Sequence, residues 1–442
     1  MTQPTQPPIS HTRWLLVFWL FVLSAVAFLD RVNISIAGSS IAADYGLANQ
    51  QLGWVFSSFL LGYALFQTAG GWLSDKLGPR RVLTVGVVWW GIFTALTAVV
   101  PSQMRAALVL FVAIRFLLGA GEAVIYPASN QFVSWWIPTQ ERGIANGIIF
   151  AGVGVGAGIT PPAISYVMFH YGWRSSFWMS AIIGLVAGLV WFLIARDKPE
   201  DHPSVYPAEL RHIQSGRTLS TTQLLPVSTT SPPQVNPVKS LPWSTILQSK
   251  NVWAVTFSYF CYGYVAWIFF SWFYIYLAKV RGLNLKASAF YATLPFLAMA
   301  VCCPLGGAIA DRVTRWRGKR VGRCGIAVLA MAMTALFLLL GSRVASARLA
   351  SVVLAGGAGA LYLSQSSFWS VTADIGAASS GSVSGFMNMG AQLGGAITAS
   401  LTPAVAARYG WTASFYVAAV LAALGALAWL AVNPDRSLAA SP

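Results

Sequence analysis

Twelve apolar segments make up most of this 442-residue chain, at approximately 14–37, 51–74, 82–100, 105–132, 143–169, 173–195, 251–278, 287–310, 321–341, 347–371, 380–406 and 411–432. An α-helix rises about 1.5 Å per residue and needs about 20 apolar residues to cross a hydrocarbon core of about 30 Å, so each segment spans a bilayer once. Backbone in lipid must satisfy its own polar groups, which leaves helices as the solution for runs of this length. The predicted fold class is an all-α polytopic membrane protein with twelve transmembrane helices. Composition agrees: only 9% of residues are charged and mean hydropathy is +0.64, too few charges for a soluble surface. The formal net charge of +16 is therefore informative through its distribution between loops, and no nucleic acid partner is expected. The first segment is too long for a signal-peptide core and is followed by eleven more, so it is expected to remain in the protein.

Twelve spans put both termini on one side. Placing Arg13, Lys76, Arg80, Arg81, Arg142, the central loop, the loop from Arg312 to Arg323 and Arg436 on that side gives it 18 basic residues against eight on the other. Basic residues concentrate on the cytoplasmic side, so the N- and C-termini are expected to be cytoplasmic. The central loop divides the chain into an N-terminal six-helix bundle (1–195), a cytoplasmic linker (196–250) and a C-terminal six-helix bundle (251–442). From Ser215 to Leu241 the linker is rich in Ser, Thr and Pro and reads as flexible, with no soluble catalytic module.

The two halves repeat each other. Gly119-Ala120-Gly121 recurs as Gly357-Ala358-Gly359, and Tyr171-Gly172-Trp173 as Tyr409-Gly410-Trp411, both at an offset of 238. Gly70-Gly71 with Asp75 recurs as Gly306-Gly307 with Asp311 at an offset of 236. Each half has an even number of spans, so the repeat is parallel, about an axis along the membrane normal. That is a transporter architecture, with the substrate site near the midplane between the halves.

Ionisable groups at membrane depth cost several kcal/mol unless paired or wetted, and mark ion or substrate paths more often than structural pins. The first half has four: adjacent Asp30 and Arg31 in segment 1, and Arg115 and Glu122 in segment 4. The latter two are seven residues apart, about 10 Å and two turns, hence on one helix face with Gly119 between them. At the repeat positions the second half has Val353 and Ala360, and none of the four histidines is in mid-membrane, so a proton carrier should be a carboxylate.

Gly71-Trp72-Leu73-Ser74-Asp75-Lys76-Leu77-Gly78-Pro79-Arg80-Arg81 resembles the signature loop between helices 2 and 3 of the major facilitator superfamily, with a degenerate second copy at Gly307 to Arg312. Within it the chain resembles the anion:cation symporter family, in particular its bacterial galactonate, glucarate and hexuronate (sugar-acid) proton symporters. The matches are Asp30-Arg31-Val32-Asn33, Gly53-Trp54-Val55-Phe56-Ser57-Ser58-Phe59 with Tyr63 and Gln67, Arg115 to Gly119 with Glu122, Trp135-Trp136-Ile137-Pro138, and Gly385-Phe386-Met387-Asn388. The resemblance implies a multi-pass protein of the bacterial inner membrane that imports a small organic anion with protons. Gly71, Asp75, Arg80, Arg81, Asp311 and Arg312 would be a conformational latch at the cytoplasmic helix ends.

Ionised Asp30, Arg31, Arg115 and Glu122 sum to zero, so protonating a carboxylate leaves surplus positive charge that an anion neutralises. Arg31 is assigned to a substrate carboxylate, for which its planar fork suits bidentate bonding. Asp30 and Glu122 are assigned to proton binding, with Arg115 tuning Glu122, all four facing the central cavity. Tyr63, Trp369, Asn388 and Gln392 complete the expected substrate shell, since hydroxyl-rich ligands need neutral hydrogen-bonding groups and an aromatic wall. Phe28 and Gln131 depart from the sugar-acid pattern, where polar Tyr or Asn and often Arg stand, so a phthalate-like aromatic acid, tartrate or a small dicarboxylate is the alternative substrate. No cofactor or metal is expected, protons being the coupling ion. The lipid bilayer is the expected surroundings and a monomer the expected working unit. Phosphate-loop, nucleophile-elbow and zinc motifs are lacking, which argues against a pump or enzyme; a multidrug exporter or a non-transporting sensor fits the same fold less well.

Overall fold

The computed structural model describes residues 10–101, 106–218 and 241–438; Arg105 and residues 219–240 of the expected flexible stretch lie outside the described residues. The first half comprises α1 (Thr12–Tyr45), α2 (Asn49–Leu77), α3 (Pro79–Val99), α4 (Ala107–Glu122) continued by α5 (Ile125–Trp136), α6 (Arg142–Tyr171) and α7 (Trp173–Ile194). Two short helices, α8 (Pro207–Thr218) and α9 (Trp243–Gln248), flank the connection. The second half comprises α10 (Lys250–Ser271) with the one-turn α11 (Phe273–Ile275), α12 (Leu285–Lys319), α13 (Ile326–Arg343), α14 (Ala347–Leu363) continued by α15 (Gln365–Gly376), α16 (Ser380–Tyr409) and α17 (Trp411–Ala428).

Among the described residues ten helical stretches are long and apolar enough to cross a membrane, and two of these have 54 and 63 residues. At about 1.5 Å per residue those two far exceed a bilayer, so each must double back. The first turns at Gly318, whose φ of +83° only glycine adopts without strain, and the second at Ala377, φ +46°. Ten stretches with two reversals give twelve crossings, as the apolar pattern requires.

The repeat in sequence is a repeat in packing. α1 packs on α6 and α7 as α10 packs on α16 and α17; α2 packs on α4 as α12 does on α14; α3 packs on α7 as α13 does on α17. The halves meet chiefly through α12 against α6 and α16 against α2, again a symmetric pair. Large apolar side chains such as Val109, Phe169, Leu297, Val301 and Leu427 are exposed on the outside, as lipid contact demands.

The start of α1 and the segment that follows α17 lie at one face, linked through Arg13–Glu141, Arg323–Thr139 and Cys324–Val432. There Glu209 on α8 is fully buried and accepts from the Thr12 and Arg13 backbone N–H groups at the start of α1 (3.3 and 3.2 Å), while pairing with the Arg13 guanidinium at 3.0 Å. A carboxylate at a helix N-terminus meets both unpaired donors and the positive end of the helix dipole. The first part of the linker is thus a fixed helix clamped to the first half.

Candidate functional site

Asp30 and Arg31 lie about half way along α1, and their neighbours differ. Arg31 Nε donates to Glu122 Oε1 at 2.8 Å, an ion pair joining α1 to the end of α4. Its guanidinium lies over the rings of Tyr63 at 4.2 Å, Phe28 at 4.8 Å and Phe59 at 5.5 Å, a stacked setting that a lysine would not use equally well. Arg31 Nη2, Glu122 Oε2 and the Tyr63 hydroxyl are buried without a hydrogen-bond partner. One acceptor, one charged donor and one phenol are therefore available to a ligand in a space where unmet polar groups are costly.

Arg115 is buried, with its guanidinium 4.8 Å from the Phe59 ring and its Nε unpartnered. It shares the α4 face with Glu122 as the seven-residue spacing predicts, but the ion-pair partner of Glu122 is Arg31. The glycine between them is required by packing: a Cβ on Gly119 would sit 2.2 Å from the Phe59 carbonyl oxygen of α2.

Asp30 differs from the expectation that it faces the central cavity. Neighbouring residues on a helix point about 100° apart, so when Arg31 turns to Glu122, Asp30 turns into the first half. Its charged and polar surroundings are Glu122 and Arg115 on α4, Thr94 on α3 and Ser180 on α7. Only 2% of Asp30 is exposed, and neither carboxylate oxygen has a hydrogen-bond partner.

Across the interface, the Trp369 ring packs against Phe150 (5.0 Å between centroids) and Tyr126 (5.9 Å) of the first half, so the expected aromatic wall faces Tyr126. Its indole N–H donates to the Tyr259 hydroxyl at 3.0 Å, which also accepts from Gln365 Nε2 at 2.9 Å. Tyr259 and Tyr262 face inward on α10, whereas Trp253 and Phe257 on the same helix are exposed. The aromatic-rich sequence gave no means to separate these two sets. Asn388 donates to Gln67 Oε1 at 2.9 Å, so it joins α16 to α2 across the halves. Gln392, one turn further, is half-buried.

The latch residues divide. Asp75 accepts from the Gly381 and Ser382 N–H groups at 2.9 and 2.8 Å, at the first turn of α16; Asp311 accepts from Gly143 and Ile144 at 2.9 and 2.7 Å, at the first turn of α6. Each carboxylate thus caps the helix that faces it in the other half. Glycines allow the approach: a Cβ on Gly71 would lie 2.0 Å from the Gly381 oxygen, and one on Gly307 2.1 Å from that of Gly143. Arg80, by contrast, stays within the first half, bonding the Phe192 carbonyl at 2.7 Å and, through its backbone N–H, Asp197 at 2.8 Å. Arg81 and Arg312 are exposed.

Three groups at the same face join the halves, a role the sequence did not assign to them. Asp374 pairs with Arg142 at 2.8 Å, with Lys319 at 3.9 Å and with the fully buried Arg323, so helices from both halves converge on one acid. Asn130 donates to Thr372 at 3.0 Å. Gln131, one of the two departures from the sugar-acid pattern, accepts from Ser380 and from the Gly381 N–H, so it belongs to the closure of this face. Residues near segment ends read as ordinary loop chemistry until the fold brings them together. These hydrogen bonds between halves run from the face of the termini as far as Gln67–Asn388.

Two repeated six-helix halves, clasped at one face around a buried set of charges, define a membrane transporter rather than an enzyme. The chain belongs to the Major Facilitator Superfamily, whose sequence profile matches residues 20–399. It is 32% identical to the probable sulfoacetate transporter of Cupriavidus necator over 96% of this chain and 94% of that one, and 32% identical to the chloroplastic ascorbate transporter of Arabidopsis thaliana over 94% and 74%. The probable galactarate/D-glucarate transporter of Escherichia coli K12 is 31% identical over 68% of this chain and 67% of that protein. Among solved structures, the proton:xylose symporter bound to 6-bromo-6-deoxy-D-glucose superposes with a TM-score of 0.71 over 96% of this chain and 97% of that one, at 16% identity, a likeness of fold.

Proposed function

We propose that this protein is a proton-coupled symporter that imports an organic anion of the sugar-acid class by alternating access. The observation that carries the reading is the Arg31–Glu122 ion pair, 2.8 Å long and buried, with an unpartnered guanidinium nitrogen beside an unpartnered phenol. With both carboxylates ionised, Asp30, Arg31, Arg115 and Glu122 are neutral together. A proton on Glu122 ends its claim on Arg31, whose fork then binds the carboxylate of the substrate bidentately. Release reverses the exchange: Glu122 loses its proton, recovers Arg31 and expels the anion. A surplus charge in a low-dielectric site is costly, so proton and anion travel together. Tyr63, Trp369, Asn388 and Gln392 supply neutral contacts for the rest of the ligand.

The positive-inside distribution of Lys and Arg supports cytoplasmic termini, and the bacterial relatives support the plasma membrane of a bacterium, where the protein works as a monomer. A second reading, a less hydroxylated acid, is favoured by Phe28, whose ring lies 4.8 Å from the Arg31 guanidinium where a polar residue would suit a sugar acid. Purified protein in liposomes, given an inward proton gradient, separates the two: uptake of labelled galactonate competed by sugar acids supports the first, and proton-driven uptake of labelled phthalate, tartrate or a small dicarboxylate alone replaces it with the second. Anion uptake indifferent to the proton gradient contradicts the coupling.

A further inference from the structure

Asn33, two residues past Arg31 and about one turn beyond Asp30, has no part in the exchange at Arg31. It is fully buried, donates through Nδ2 to Ser180 Oγ at 3.1 Å, and accepts from Ser176 Oγ at 2.8 Å. Both serines lie on α7, Ser176 in its first turn, at the face opposite the termini. Because Ser180 Oγ accepts from Asn33, its own proton is free for another acceptor, and Asp30 is the carboxylate in its surroundings. Thr94 on α3 is also among the polar groups around Asp30, and its hydroxyl, like both Asp30 oxygens, is buried and unpartnered. The other charged groups facing Asp30 are Glu122 and Arg115 of α4. Helices α3 and α7 pack against each other, and α7 packs against α1, within the first half.

We propose that Asp30 is a proton site served from inside the first half, by Thr94, Ser180 and Asn33 on the α3–α7 side, separate from the space between the halves in which the anion meets Arg31. This rests on the proton-coupled reading above and goes beyond it by giving the two carboxylates different access. Glu122 is in direct competition with the substrate for Arg31. Asp30 is not: its oxygens are unpartnered in this structure, on ionising they would draw the free Ser180 and Thr94 hydroxyl protons, and when a proton from water at the α7 first-turn face neutralises Asp30, the new O–H would donate to a lone pair of the same hydroxyl oxygens. Asn33, held by Ser176, fixes the orientation of Ser180 and is a positioning residue. A purely structural staple between α1 and α7 is the competing explanation.

The test uses full-length protein in liposomes and two assays on each variant, proton-gradient-driven uphill uptake and gradient-free exchange of labelled for unlabelled substrate. Combined Thr94→Val and Ser180→Ala removes both hydroxyls at nearly constant volume. The proposal expects uphill uptake to fall about tenfold or more with exchange kept within about twofold, and Thr94→Ser with Ser180→Thr to retain uphill uptake. Unchanged uphill uptake overturns it, and so does parallel loss of both activities in folded protein, which is what a staple would give. If the double variant fails to fold, Ser180→Ala alone carries the same pair of expectations. Wild-type uptake that ignores the proton gradient would instead remove the underlying reading.

Discussion

Arg31 of α1 and Glu122 of α4 are held 2.8 Å apart in the middle of the membrane, and each keeps one polar atom without a partner. A pair that is closed yet incompletely satisfied is poised for exchange. A buried pair kept only for stability would be expected to have its remaining donors and acceptors met.

Glu122→Gln keeps the shape and one acceptor but cannot be charged. Arg31 is then permanently available, so substrate binding should persist with little dependence on pH between about 5 and 8, while uphill uptake drops at least about tenfold. Binding by calorimetry at several pH values, beside uptake in liposomes, checks both halves of this expectation.

Arg31→Lys retains the charge and loses the planar fork and its stacking on Tyr63 and Phe28. Affinity for the anion should weaken about 10- to 100-fold, since about 1.4 kcal/mol accompanies each factor of ten. A measured affinity within twofold of wild type would mean that the carboxylate is bound elsewhere.

Asp75→Asn and Asp311→Asn each weaken two charge-assisted bonds to a helix start. Capping groups of this kind contribute about 1 kcal/mol, so either change should shift the population closed at the face of the termini by roughly fivefold. Distance distributions between spin labels on α2 and α16 report that shift directly. Arg81→Ala and Arg312→Ala, at exposed positions, should leave the distribution nearly unchanged.

Asp374→Asn would leave Arg142, Lys319 and Arg323 together without their shared acid. Removing one partner of a buried charge cluster costs about 3–5 kcal/mol, so a marked fall in the thermal midpoint is expected, with misfolding in the more severe case of Asp374→Leu. Thermal unfolding in detergent measures this without any transport assay.

The twelve crossings, the parallel repeat and the four charged residues at membrane depth were all legible in the sequence, because apolar length and the rarity of charge in lipid are one-dimensional signals. Partner choice was not. Adjacency in sequence suggested that Asp30 and Arg31 act side by side, although a helix turns them about 100° apart, and that angle was the available hint that they face different neighbours. Arg115 and Glu122 were correctly put on one face, yet which arginine pairs with Glu122 depends on how α1 and α4 are rotated about their axes. Likewise the signature loop pointed to a latch through Asp75 but could not tell that its basic residues stay outside the clasp. Asn388 reads as a ligand contact by chemistry and is engaged with Gln67 by geometry. Glu209 on α8 had no signal at all, since its role exists only once α1 starts beside it.

The central claim is that proton and anion exchange at Arg31 through Glu122. Its most direct measurement is the proton movement caused by adding substrate to liposomes with no imposed gradient, followed by a pH dye trapped inside. The account predicts acidification of the lumen by wild-type protein and a strongly reduced signal from Glu122→Gln, in which Asp30 alone remains, although that variant still exchanges substrate. Substrate entry without proton movement in the wild type, or an undiminished proton signal in Glu122→Gln, would contradict it.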